Sequence, residues 1–256
     1  MATSKPLKAD TKASTSVAVR KPTSGAIVSI KDQIAAQVAA LGDRIVAPGG
    51  SKIKLAAGKM TLPNGEVHSD PVELVIVDFV AKNAFYEDNF DPNNIQPPAC
   101  FAIGTNPAKL VPSPNAPLPQ AATCNECPMN QFGSKGKGKA CKNERSVAVL
   151  PPGAEADAPL WQLSVSPTAV KGFDGYVSGV ARTFETVPAG VITQVSLDPS
   201  ETYPRLMFSS PVPNPNLGEH FARQAEAHAM LTVEPDVSAF GQAKAKAAPK
   251  RPTVRR

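Results

Sequence analysis

Aromatic residues are scarce in this chain, at 5% of its 256 positions, and Trp161 is the only tryptophan. With 27 prolines and 17 glycines, that scarcity disfavours a helical bundle and fits short strands separated by many turns. No apolar run approaches the roughly 18 to 20 residues that cross a bilayer, so no membrane partner is expected. Residues 1–22 lack the compact apolar core of a secretory signal, which sets the expectation of a cytoplasmic chain (the host cell cytoplasm, if phage-encoded). The only histidines are His68, His220 and His228, and none stands at metal-binding spacing to another or to a cysteine. With no Ser/His/Asp arrangement and no recognisable carboxylate pair, an enzyme is not expected. A hydrophobic content of 42% is nevertheless enough for a real core.

The net charge of +5 is unevenly placed. Residues 1–24 carry five basic side chains against Asp10, and residues 239–256 carry six with no acid. The segment between them is therefore net acidic, at −5. Both ends read as disordered basic tails, rich in Lys, Ala and Pro, which hold polyanions through counterion release without reading sequence.

There are four cysteines: Cys100, Cys124, Cys127 and Cys141. Intervals of 23, two and 13 residues separate them. Two thiolates two residues apart grip one tetrahedral ion from a single turn, and Cys100 and Cys141 are the other thiols available. In a reducing compartment this pattern points to metal, with one zinc held by four thiolates the simplest solution. Such a site has no open position for water, so the zinc is structural. An iron–sulfur cluster is the alternative for four thiolates, but nothing in the sequence points to redox work. Cys124-Asn125-Glu126-Cys127 follows a proline-rich loop instead of opening a helix, which disfavours a thioredoxin-like pair.

The hydrophobic pattern predicts an amphipathic helix over 29–45 and strands at 52–55 and 72–77, the latter running on towards Phe85 and Tyr86. Residues 87–123 read as a long irregular excursion that something must hold. A hairpin of 146–150 with 160–165 follows, then a helix from about Ser166 to Arg182 with Val170, Phe173, Val177 and Val180 on one face. A second strand pair (191–197 and 203–209) and a helix over 217–231 complete the order. The expected fold is α+β: an antiparallel, β-rich, OB-like (oligonucleotide-binding) barrel with flanking helices. It spans 25–238, with a zinc-holding insertion at about 97–145, between tails 1–24 and 239–256.

Between the last two cysteines, Phe132-Gly133-Ser134-Lys135-Gly136-Lys137-Gly138-Lys139 alternates lysine with glycine, and Lys142 and Arg145 follow. Glycines let a backbone approach phosphate, lysines neutralise it and Phe132 offers a stacking face. The nucleotide-binding Gly-x4-Gly-Lys-Ser/Thr pattern is absent, and a solvated hairpin tip is the bland reading. Phe85, Tyr86, Trp161 and Tyr176 are further stacking candidates, although Trp161 reads as buried.

The run Cys124-x2-Cys127-Pro128-x-Asn130-x-Phe132-Gly133-Ser134, then Gly138-Lys139-Ala140-Cys141-Lys142, resembles a family of small tailed-phage proteins described as single-stranded DNA-binding. The strand centred on Leu74, Phe85-Tyr86, Pro98-Ala99-Cys100 and Leu163-Ser164-Val165-Ser166-Pro167 also fit, so that the likeness spans about 50–210. It implies an OB-type single-strand binder, with the four cysteines as zinc ligands, acting in phage DNA replication or recombination with partners from those processes. The chain departs from single-strand binders at its C-terminus, which is basic where theirs are commonly acidic. The alternative is a structural or scaffolding protein of a virion or an assembly, whose basic tails meet packaged nucleic acid.

Overall fold

A computed structural model describes residues 51–240, apart from Ala57, Phe90 and Pro92. The helix expected over 29–45, the tail 1–24 and the tail from 241 onward lie outside the described residues.

The scaffold is one long strand, β4 (Val72–Phe85). Its β-branched start resists helix and suits a pleated surface. Along one edge it pairs antiparallel with β6 (Cys141–Leu150) from Val75 to Phe85. Its other edge is shared by two partners: β8 (Val191–Leu197) takes Val72 to Val75, and β5 (Cys100–Gly104) takes Ala81 to Phe85. The hairpin partner of β6 is β7 (Trp161–Val165), and β8 pairs with β9 (Leu206–Pro213). The order is therefore β7-β6-β4-β8-β9, with β5 on β4. A smaller sheet is built from β1 (Lys54–Ala56), β2 (Lys59–Thr61) and β3 (Val67–His68). The turn expected at Pro63-Asn64-Gly65 joins β2 to β3, with Gly65 at φ +91°, where a Cβ would be strained.

The architecture is thus α+β and mainly antiparallel. Strands β7 and β9 end the large sheet without pairing to each other, so no closed barrel is found among the described residues.

The register of β4 on β6 shifts between Ile76 and Asp78, a bulge that inserts Val77. One face carries Leu74, Ile76, Phe79, Val147, Val149 and Leu163 and is covered by α1 (Val170–Phe184). Phe173 of α1, fully buried, meets Phe79 and Phe208 edge-on at centroid distances of 5.2 and 5.1 Å. Burying a side chain of this size contributes about 1.5–3 kcal/mol. The opposite face carries Val77, Val80, Ala148 and Leu150 beneath α3 (Gln224–Leu231).

The helix expected as one piece over 217–231 is two: α2 (Leu217–Ala222) and α3, interrupted at Arg223. The Arg223 guanidinium bonds the Ala158 carbonyl and the Glu226 carboxylate, a tertiary anchor that helical periodicity does not carry. Strand β5 also lies inside the excursion expected to be irregular.

Candidate metal centre and nucleic-acid interface

Strand alternation builds the cysteine site. Phe85 faces Cys141 on β6 and Cys100 on β5, placing both thiols on one face of the sheet at the end beyond α1. Cys124 and Cys127 arrive from the loop that follows β5. Backbone bonds tie that loop to β5 and its entry, Ser113 N–H to Phe101 O (2.8 Å) and Leu118 N–H to Ala99 O (2.7 Å), and close it on itself, Cys124 N–H to Leu110 O (2.9 Å). Pro128 begins a short 3-10 turn, Pro128–Asn130, whose fixed φ suits its first position.

All four cysteines are buried, and none forms a disulfide. They line one cavity of about 10 Å³, with Asn83, Phe101 and Asn130 among its other walls. That is close to the space a single water needs. Burial pushes the Cys100 and Cys124 thiols above their ordinary range. Cys141 is pushed up to about 12, first by burial and then by Cys124, Cys127 and Cys100, with Lys139 acting against the rise. Among the described residues, no group of three or more His, Cys, Asp or Glu side chains stands in a metal-holding arrangement. The thiols converge on a shared ion-sized space without being set as four positioned ligands. Donor type and number are those of a thiolate-bound ion, but the side chains are not set in its arrangement.

Polar groups connect this cluster to the lysine loop. Asn83 and Gln120 line the cysteine cavity, and Asn130 Nδ2 donates to the Cys124 carbonyl (2.6 Å). Asn143 Nδ2 donates to Asn83 Oδ1 (2.8 Å), and Lys139 Nζ donates to Asn143 Oδ1 (3.1 Å) and Asn130 Oδ1 (3.3 Å). Lys139 is thus joined to the cysteine loop through Asn130, which bonds the Cys124 carbonyl, and to the cavity wall through Asn143 and Asn83. Bonds of this kind fix ligand orientation and offset thiolate charge.

The loop itself is a structured hairpin. Gly133 N–H and Lys135 N–H both donate to Gly138 O, and Gly138 N–H returns a bond to Lys135 O at 3.0 Å. Gly136, at φ +59°, supplies the left-handed residue that a two-residue hairpin turn requires. Lys135 and Lys137 are exposed, and Lys135 Nζ donates to Asn89 Oδ1 (2.8 Å). Phe132 is 81% exposed, with Lys139 Nζ 5.1 Å from its ring centroid. Lys142 Nζ stands 5.3 Å from the Tyr86 centroid.

The remaining sequence candidates are elsewhere. Arg145 is 7% exposed and grips Asp174 of α1 through two bonds, Nε to Oδ1 (3.1 Å) and Nη2 to Oδ2 (2.7 Å). It lies on the cysteine face of β6, whereas Lys142 lies on the other, and its charge is committed to that ion pair. Trp161 is in the core, as expected, and Tyr176 packs near Phe208 with its hydroxyl on Thr193 Oγ1 (2.7 Å). Phe85 is half-buried against Cys100, Phe101 and Ala116. The histidines take no part: His68 meets Glu66, His228 meets Asp78, and His220 is buried beside Asn214. Sequence reasoning missed Asn83, Asn130 and Asn143. Asn143 was signalled by its i, i+2 spacing from Cys141 and Asn130 by its position just after the Cys124/Cys127 pair, whereas Asn83 joins them only through the pairing of β4 with β6.

No helix among the described residues is long and apolar enough to cross a membrane. Comparison with protein families, with curated proteins and with solved structures finds no match.

Proposed function

We propose that this chain is a non-enzymatic single-stranded DNA-binding protein whose lysine hairpin is held by one structural zinc on Cys100, Cys124, Cys127 and Cys141. The observation that carries it is the coupling of two features: four buried thiols around one small cavity, and a Gly/Lys hairpin joined to the Cys124 backbone by Lys139 through Asn130. Zinc supplies a cross-link between the loop and the sheet, worth folding free energy in itself. The chain's own residues do the binding. Lys135, Lys137, Lys139 and Lys142 meet phosphates, while exposed Phe132 supplies a ring on which any base can stack.

The OB-like architecture belongs to the same proposal. A bulged strand shared by two partners along one edge is how small β-folds turn a corner, which supports a barrel-related sheet here. Roles in phage DNA replication or recombination, and partners from those processes, rest on the family resemblance.

Titration of labelled single- and double-stranded oligonucleotides across salt tests the function. Binding that prefers single strands and weakens steeply with salt is expected. Equal, tail-driven binding to both would favour the scaffolding alternative.

A further inference from the structure

Beside the hairpin, on the face of β4 and β6 away from the cysteines, lies a second and larger cavity of about 490 Å³. This is the size range of small-molecule pockets, roughly 300–1,000 Å³, and far larger than the space between the thiols. Its walls combine Tyr86, Ile95, Lys135, Lys142, Asn94 and Gln96. Tyr86 is half-buried at the end of the sheet, and Ile95, 75% exposed, is the large apolar side chain of the opposing segment. The lysines come from the hairpin and from β6, while the carboxamides come from the segment that crosses over from β4.

We infer that this cavity is a subsite for one unpaired nucleobase of the bound strand, with its flanking phosphate. The inference rests on the single-strand reading and adds to it a location that Phe132 does not share. An aromatic ring and an aliphatic side chain on one cavity form the apolar slot that a base's π-face needs. The Lys142 ammonium now lies against the Tyr86 ring. A base stacking on that ring replaces the cation–π contact, and its phosphate takes the released ammonium. Lys135, already turned towards this segment by its bond to Asn89, offers a second cation to the same phosphate chain.

The cavity is not a simple anion trap. Asp88 and Asp91 also line it, so two lysines face two carboxylates and a bare polyphosphate gains little there. A nucleotide matches better, because its negative charge is confined to one end and its base edge carries donors. The two carboxamides are paired, Gln96 Nε2 donating to Asn94 Oδ1 (2.9 Å), and Asp91 accepts from the Asn93 N–H (2.9 Å). Side chains that offer both donors and acceptors read a base only when its Watson–Crick edge is unpaired.

Photo-crosslinking of the full chain to a single-stranded oligonucleotide carrying 5-iododeoxyuridine, with mass-spectrometric mapping, tests the subsite. The expected result is a crosslink at Tyr86, absent in Tyr86→Leu and retained in Tyr86→Phe. Affinity should fall roughly 5- to 150-fold in Tyr86→Leu, the range for loss of one stacked base. Should Tyr86→Leu prove insoluble, the crosslink position in the unaltered chain decides. Binding with crosslinks only at Phe132, and no affinity loss in Tyr86→Leu, overturns the subsite while leaving the strand-binding reading standing. No binding by the unaltered chain overturns both.

Discussion

Changing Lys135, Lys137 and Lys139 together to glutamine should flatten the salt dependence of single-strand binding by an amount the geometry sets. Lys135 and Lys137 are exposed, and half-buried Lys139, bonded to Asn130 and Asn143, stands over exposed Phe132; on the proposed reading each meets one phosphate. Every phosphate left unneutralised on a single strand lowers the slope of log K against log salt by about 0.7, so three lysines account for about 2. Extrapolated from 1 M, where such ion pairing vanishes, a slope change of about 2 means about 100-fold weaker binding at 0.1 M salt. Fluorescence anisotropy from 50 to 300 mM salt reads both quantities. The basic tails contribute their own slope equally to both proteins, so it cancels in the difference. Arg145→Gln is the internal control: its guanidinium is committed to Asp174, and the slope should hold. An unchanged slope in the triple variant, with the variant folded, would refute the reasoning and move the site off the hairpin.

Phe173→Ala should cost about 3–5 kcal/mol, because a fully buried ring between Phe79 and Phe208 leaves a cavity; the shift in urea midpoint measures it. Asp174→Asn strands a buried guanidinium, but Asp174 is 45% exposed, so the loss should be about 1–2 kcal/mol rather than that of a wholly buried pair. A double-mutant cycle with Arg145→Gln checks this value. Burial holds the His220 ring below the ordinary histidine range, and its Nε2 has no partner. A depressed folded-state value means this contribution is complete above about pH 6.5 and is lost as pH falls. Unfolding free energy should therefore drop on acidification, and His220→Leu should remove part of that slope; an identical pH profile would count against it.

Much of the sheet was legible because its strands are continuous apolar runs: β4, the β6–β7 hairpin and the β8–β9 pair lie close to where periodicity puts them. Strand β5 was hidden by its proline- and asparagine-rich flanks, although Cys100-Phe101-Ala102-Ile103 is a short apolar run. Its pairing to the far half of β4 is a long-range choice that no local pattern announces. The fate of Arg145 was legible in principle. Starting β6 at Cys141 puts Asn143 and Arg145 on the cysteine face and Lys142 on the other. Reading the stretch as a loop leading into a shorter strand grouped Arg145 with the lysines. Barrel closure depends on whether β7 and β9 meet, and strand patterns carry no information about edges. The cysteine spacing pointed to one cluster, and the four side chains do line one cavity; the asparagines that brace it needed the sheet register.

The most direct measurement is the metal content of the full chain, purified without added metal or chelator. The account predicts close to one zinc per chain, lost on Cys124→Ser together with protease resistance of the 97–145 segment. A fully folded, strand-binding protein with no zinc would contradict it.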